Sequence, residues 1–173
     1  MIIAKSGNFA DVTPFSANLP VLQMVEIGDA MMAYDNPVTF TTYSLVMRNA
    51  LLIPSMDHKL IPLFLLREAG LILDETPKHQ LESPTIDNHL IVDEESGMRV
   101  HLQLNRIFSF FPTRNLIPYE VEHWNTYPIV FLTPDGDSWD PNSTHYTEQE
   151  ASMLDSSGLI AVHKERPTKR FFH

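Results

Sequence analysis

The stretch that most constrains the fold covers residues 43–75, where an alternating segment runs into proline and then into a dense apolar block. Tyr43, Leu45 and Met47 recur at every second position, which predicts a half-buried β-strand. Residues 51–53 continue this strand as an apolar run. Pro54 ends it, because proline has no N–H group to donate to a neighbouring strand. This stretch by itself predicts core architecture and not a site.

The apolar block that follows predicts a short helix. Pro62 favours a helix that begins near Ile61, with Asp57 as the candidate N-cap. Gly70 stands where a helix-terminating glycine belongs, and residues 71–73 then return to an extended run. One side of the predicted helix carries Leu63, Leu66 and Ala69, with Phe64 and Leu65 beside them.

Residues 98–104 carry the clearest strand signal in the chain. Apolar side chains recur there at every second position, which predicts one buried face. Across a polar turn at 93–97, the apolar residues 89–92 complete a predicted hairpin. The alternating apolar set consists of Met98, Val100, Leu102 and Leu104.

Residues 107–111 add a short apolar strand. We expect Phe108, Phe110 and Phe111 to lie in the core, rather than to form a platform on which bases could stack.

Further upstream, residues 21–32 and 40–47 predict another hairpin around an Asn-Pro turn.

The end of the chain changes character. A short helix is expected at 120–124, then an apolar strand at 128–133 and a Pro-Asp-Gly turn at 134–141. From residue 142 the sequence becomes polar, and we expect 142–173 to be a weakly ordered tail with a helix over 147–154. The domain proper would then cover residues 1–141.

Composition bounds the class of protein. A length of 173 residues suffices for one domain with a core, and 13 prolines against 6 glycines favour short extended segments over long helices. The net charge of −10 disfavours nucleic acid and anionic membranes as partners, because both attract basic surfaces. The absence of cysteine rules out disulfides and thiol chemistry. With no signal-peptide pattern and no membrane-length apolar run, we expect a cytoplasmic (intracellular) protein.

The order of motifs along residues 5–142 resembles the retropepsin-like protease region of Copia-type retrotransposon Gag-Pol polyproteins. In that family a strand of the type A-L-Y-x-P is followed by S-L-I-x-x-x-Q-L-R-x-x-G. The matching residues here are Asn49, Ala50, Leu51, Leu52 and Pro54, then Leu60, Ile61, Leu65, Leu66, Arg67 and Gly70. The stretches 11–16, 19–21 and 33–35 fall in the same order, as does the late block 110–141 with Arg114, Glu120, Leu132, Thr133, Trp139, Asp140 and Pro141.

This resemblance implies a mainly β fold, a retropepsin-like (acid-protease) β-barrel of hairpins with one or two short helices. It implies descent from an aspartic endopeptidase in which two subunits share one cleft, so a homodimer is expected. It also places the flap that closes over substrate at the hairpin around 33–37. An ordinary hairpin there is at least as good an interpretation.

The departure from the family concerns its catalytic loop. A retropepsin supplies one Asp-Thr-Gly or Asp-Ser-Gly per subunit, and the two aspartates share one proton. No such tripeptide occurs in this chain, although the family places it ahead of the stretch that corresponds to 11–16. We therefore predict that the chain as it stands is an inactive or truncated protease domain. No catalytic residue, cofactor or metal ligand is assigned.

The remaining candidate residues fit structural roles, chiefly in turns, better than catalytic or metal-binding roles. Asp155 opens an Asp-Ser-Ser-Gly sequence with one serine too many for a protease loop, so a turn or capping aspartate is the preferred interpretation. Asp135, Asp137 and Asp140 lack the glycine and the later glutamate of a calcium loop. Asn142 opens a glycosylation sequon that matters only in a secreted protein, and residues 164–170 read as a solvated basic end. The histidines, which show no metal-binding spacing, are His58, His79, His89, His101, His123, His145, His163 and His173.

Three interpretations of function stay open. The first is a retrotransposon-derived retropepsin-like domain that is inactive and keeps a tendency to dimerise. The second is a non-catalytic β-rich module that uses the same surface to bind a protein or peptide. The third is a relic without a function. A D-[ST]-G tripeptide encoded upstream of Met1 would favour the first.

Overall fold

The computed structural model describes residues 1–14, 16 and 18–159. Met1–Pro141 forms one compact unit, and a second unit begins at Asn142. The strands are β1 (Ile2–Val12), β2 (Leu22–Asp35), β3 (Thr42–Leu51), β4 (Ile72–Asp74), β5 (Leu90–Asp93), β6 (Met98–His101), β7 (Gln103–Asn105), β8 (Phe108–Phe110) and β9 (Ile129–Phe131). The helices are α1 (Leu63–Glu68), α2 (Pro118–Glu122) and α3 (His145–Ala151), with single 3-10 turns at Lys78–Gln80 and Trp124–Thr126. The mainly β class predicted from the sequence is confirmed.

The largest sheet has the strand order β1-β2-β3-β9. β1 and β2 pair antiparallel, as do β2 and β3, whereas β9 joins β3 in parallel, with Leu45 opposite Val130. A second sheet has the order β4-β5-β6, and β7 with β8 forms a third sheet of two strands. None of the described helices is long and apolar enough to cross a membrane.

One face of the large sheet packs against the second sheet to make the core. The buried side chains of this core are Met32, Tyr34, Tyr43, Leu45, Met47, Leu66, Leu71, Ile91, Met98, Val100, Leu102, Val130 and Leu132. The alternation predicted for residues 43–47 is confirmed, since Tyr43, Leu45 and Met47 face this core. The strand is more than half-buried, however, since Ser44 and Val46 on its other face are also buried.

β1 lies close against β2 because Gly28 has no side chain. A Cβ atom at this position would stand 2.5 Å from the carbonyl oxygen of Ala4. Between Lys5 and Phe9 the register of β1 shifts, so that the chain bulges away from β2 there. At its start this edge strand is fixed to β2 by two hydrogen bonds between Met1 and Met31, each of 2.8 Å.

The helix predicted from Ile61 starts two residues later and is capped differently. Its N-cap is Pro62, so the expectation that Asp57 caps the helix is wrong. Leu65 and Leu66 are buried, while Leu63 on the predicted face is exposed, because a helix this short has a single turn against the core. Gly70 does terminate it, with a φ of +88° and an N–H that donates to the carbonyl of Arg67.

The expectation for the phenylalanine-rich strand is wrong in two of its three residues. Phe108 and Phe110 are 69% and 40% exposed, and Phe111 alone packs on the core, where its ring meets Tyr34 edge-on at 6.1 Å. The alternating run also breaks after Leu102, so that Leu104 belongs to the separate hairpin β7–β8 and is 40% exposed. The cause is topological, because this hairpin pairs with no other described strand.

In the second unit, the predicted helix over 147–154 is observed two to three residues earlier, as α3. The basic stretch 164–170 and His163 and His173 lie outside the described residues.

Candidate functional site

The densest cluster of charge surrounds the guanidinium of Arg114. The main chain of Arg114 pairs with Ala33 through two hydrogen bonds, of 2.9 and 3.0 Å, beside the end of β2. Its side chain donates to both carboxylate oxygens of Glu120 at 2.7 Å. It also donates to both oxygens of Asp35, at 2.6 and 2.9 Å. One cation therefore bridges two carboxylates that lie far apart in the sequence.

Local sequence explains how Glu120 reaches this position. Pro118 begins α2, and its fixed φ suits the first residue of a helix. Glu120 is the third helical residue, so its carboxylate can turn back and accept the N–H of Ile117 at 2.9 Å. The side chain is 6% exposed, whereas those of Arg114 and Asp35 are 38% and 51% exposed. Glu120 is thus the buried member of the cluster.

The electrostatics of the cluster hold both carboxyl groups in the charged form. The hydrogen bonds from Arg114 lower the pKa of Glu120 and the pKa of Asp35, and outweigh the opposing effect of burial. The same contacts raise the pKa of Arg114 above its usual value. An acid–base dyad needs one carboxyl group protonated and the other ionised. A guanidinium between the two carboxylates favours two ionised groups, so this cluster acts as a clamp.

The sequence contained these residues without revealing their relation. Asp35, Arg114 and Glu120 lie in three separate segments of the chain, and the sequence alone assigned no side-chain role to any of them. Seventy-nine positions separate Asp35 from Arg114. A signal was available only for Glu120, in the pattern of a proline two residues before a glutamate at a helix start.

The turn interpretation describes Asp155 correctly, whereas the side chain of Asp135 makes a long-range ion pair. The Oδ1 atom of Asp155 accepts the hydroxyl of Ser157 at 2.6 Å and the N–H groups of Leu159 at 3.1 Å and Ser157 at 2.8 Å. These bonds, that of the hydroxyl first, lower the pKa of its carboxyl group. Asp135 pairs with Arg48, and its carbonyl accepts the N–H of Ser138 at 2.8 Å. The side chain of Asp155 is therefore held by its own turn, and that of Asp135 by a residue 87 positions away in the sequence.

His89 is the histidine that the structure buries, with 3% of its surface exposed. Its Nε2 lies 2.8 Å from the hydroxyl of Ser109, and its main-chain N–H donates to Asp74 at 3.1 Å. Burial lowers the pKa of His89. No group of three or more metal-binding side chains occurs among the described residues.

A groove of about 620 Å³ crosses the face of the large sheet that is turned away from the core. Asp29 and Arg48 are its charged members. Trp124 and Phe131 are 45% and 40% exposed beside it. The apolar lining consists of Met1, Ile2, Ile3, Met31, Val46, Val121, Trp124, Ile129 and Phe131.

The end of β3 is latched to the turn that follows β9, and this latch shapes one end of the groove. The main chain of Arg48 donates to the hydroxyl of Thr133 at 2.7 Å and accepts the indole N–H of Trp139 at 3.1 Å. The guanidinium of Arg48 lies 4.1 Å from the centre of the Phe131 ring. A cation in this position holds the ring in place through the negative face of the aromatic system.

Comparison with known proteins adds no relative. The chain matches no protein family, no curated protein and no solved structure.

Replacement of Arg114 by methionine should destabilise the protein by about 2–3 kcal/mol, because it leaves the buried Glu120 carboxylate without its cation. The matched control is Arg67→Met. The Arg67–Glu75 pair is about half exposed on both sides, so its loss should cost less than about 1 kcal/mol. Urea unfolding of both variants measures the difference. Equal losses of unfolding free energy in the two variants would show that the Arg114–Glu120 contact contributes no more than a surface ion pair.

The clamp also predicts a dependence of stability on pH. Since the folded-state pKa of Glu120 lies below the unfolded value of roughly 4.3, its stabilising effect is complete above that value and disappears as the pH falls through the folded pKa. Glu120→Gln should therefore be less stable than the wild type at neutral pH and should lose less free energy of unfolding on acidification. Urea unfolding from neutral to acidic pH tests this. Parallel curves for the two proteins would contradict it.

Proposed function

We propose that this chain is a catalytically inactive, retropepsin-like β domain from the protease region of a Copia-type polyprotein, and that it acts by binding a second protein chain. The order of family motifs along residues 5–142 supports the origin. The proposed origin is also supported by the contact of Arg114 with Asp35 and Glu120, because this contact joins three motif segments that are separate in the sequence.

The clamp also supports the absence of peptidase activity. Asp35 and Glu120 are bridged by a common cation, and their lowered pKa values leave no proton for them to share. Aspartic protease chemistry needs one carboxylate as base toward water and one carboxylic acid toward the peptide. The sequence also lacks the D-[ST]-G tripeptide that supplies this pair in the family.

The groove is the observation that carries the binding function. Its lining is largely apolar, and Trp124 and Phe131 stand half exposed at its side. Apolar surface of this kind on a folded domain is typical of protein-binding sites, and aromatic residues often dominate their energetics.

A second copy of the chain is the occupant that the groove suits best. A twofold contact requires a self-complementary surface, in which residue i of one copy meets residue j of the other and the reverse. The groove contains one acid, Asp29, whose Oδ1 accepts the N–H of Asn49, and one base, Arg48, which also pairs with Asp135. A twofold contact would bring these opposite charges near each other while each keeps its partner within the chain, and their attraction would offset part of the repulsion between two chains of net charge −10.

Incubation of the purified chain with unfolded protein substrates at acidic and neutral pH should yield no cleavage, since the sequence has no D-[ST]-G and the carboxyl groups of Asp35 and Glu120 are both held ionised. Gel electrophoresis and mass spectrometry of the products provide the measurement. Cleavage that persists on further purification and disappears in Asp35→Asn would overturn the inactive assignment. Cleavage unaffected by that variant would indicate a contaminant.

Sedimentation equilibrium should show reversible dimers of the wild type at micromolar concentrations. Trp124→Glu places a charge in the apolar groove and should weaken association at least about tenfold, a loss of roughly 1.4 kcal/mol. The control is Leu63→Glu, at a position of similar exposure on α1 outside the groove, which should dimerise like the wild type. A wild type that stays monomeric, or equal weakening by both variants, would refute the groove as the dimer surface.

A further inference from the structure

The hairpin β7–β8 is a two-stranded ribbon that the rest of the described chain leaves unpaired. Its cross-strand pairs are Gln103 with Phe110, Leu104 with Ser109 and Asn105 with Phe108. No backbone hydrogen bond joins residues 103–110 to another described element. Two-stranded ribbons are marginally stable in water, and an open strand edge presents N–H and C=O groups to any extended chain.

The outer face of this ribbon is aromatic on β8 and polar on β7, where Gln103 and Asn105 stand opposite Phe110 and Phe108. Phe108 and Phe110 share one face because side chains alternate along a strand, and Ser109 points to the other. The hydroxyl of Ser109 lies 2.8 Å from Nε2 of the buried His89, which identifies the Ser109 face as the one turned toward the protein. The two phenylalanines are therefore turned to solvent, and Ile107 at the tip is 85% exposed.

The ribbon also differs in charge from the rest of the chain. No aspartate or glutamate occurs from residue 99 to residue 119, although the chain contains 22 acidic residues. Arg99 pairs with Asp87, and Arg114 lies in its clamp. Arg106, at the tip, takes part in no salt bridge among the described residues. The ribbon thus presents apolar surface with one available cation.

We infer that β8 binds an extended peptide segment of another protein, which adds to its free edge as a third strand. The segment carries β-branched or aromatic side chains at alternate positions, next to Phe108 and Phe110, and an acidic residue that reaches Arg106. Strand addition satisfies the open backbone groups and makes the ribbon three-stranded. The apolar cross-strand neighbours cover the exposed phenylalanine rings.

Charge favours a peptide over the other partners that an aromatic strand can bind. A nucleic-acid strand needs several cations to neutralise its phosphates, whereas Arg106 is a single available cation on an acidic protein. The net charge of −10 does not prevent binding of one acidic side chain, since charges beyond about 8 Å are largely screened at physiological salt. This surface is separate from the groove, so the two can be tested independently.

A displayed library of random linear peptides, selected on the full wild-type chain, tests the inference. We expect enrichment of peptides with apolar residues at alternate positions and an acidic residue. For a selected peptide, fluorescence anisotropy should show affinity at least about fivefold lower with Phe108→Ser plus Phe110→Ser, through the loss of two cross-strand apolar pairs. The matched control is Phe40→Ser, at the 88% exposed tip of another hairpin, which should bind like the wild type.

Charge exchange supplies the second readout. Arg106→Glu should weaken binding of the selected acidic peptide, and replacement of the peptide's acid by lysine should restore it. The substituted side chains are exposed, so we expect every variant to fold like the wild type. Circular dichroism checks this expectation.

The inference is overturned if the library yields no enrichment, or if the double phenylalanine variant binds the selected peptides as the wild type does. Loss of binding in Trp124→Glu alone would assign the peptides to the groove. Tighter binding of single-stranded polyuridine than of any peptide, or self-association that depends on Phe108, would identify a different occupant and would equally overturn it.

Discussion

The contact between Arg114 and the buried carboxylate of Glu120 is the interaction on which both candidate surfaces depend. Arg114 follows the aromatic ribbon by four residues and pairs with Ala33 in the large sheet, so it fixes where that ribbon leaves the core. Glu120 belongs to α2, whose Val121 lines the groove. A buried carboxylate must be paired or it costs several kcal/mol, and Arg114 supplies the pair in a bidentate geometry.

The same clamp determines which protonation states are open to Asp35 and Glu120. A proton shared between two carboxylates and a guanidinium placed between two carboxylates are opposite electrostatic arrangements. The first raises one pKa so that an acid is available near neutral pH, and the second lowers both. In Asp35 and Glu120 the second arrangement holds, and it contributes to the stability of the domain.

Sequence patterns predicted the parts of the fold that depend on neighbours along the chain. The alternation through Leu45 and the helix stop at Gly70 were recognisable because periodicity and positive φ are local properties. The parallel pairing of β9 with β3 and the contact of Asp35 with Arg114 join positions about eighty residues apart, and no local pattern encodes them. The candidate site therefore required the structure, while the strand-rich class did not.

Phe108 and Phe110, which were predicted to lie in the core but are exposed, show what strand alternation cannot predict. Residues 98–101 and 108–110 both alternate, and alternation states which side chains share a face. Whether that face is covered depends on which other element packs against it. Met98 and Val100 lie beneath the large sheet and are fully buried, whereas Phe108 and Phe110 lie on a ribbon that no described strand covers. An aromatic face in that position exposes apolar area at a continuing cost in free energy, and a bound strand is the element that would remove that cost.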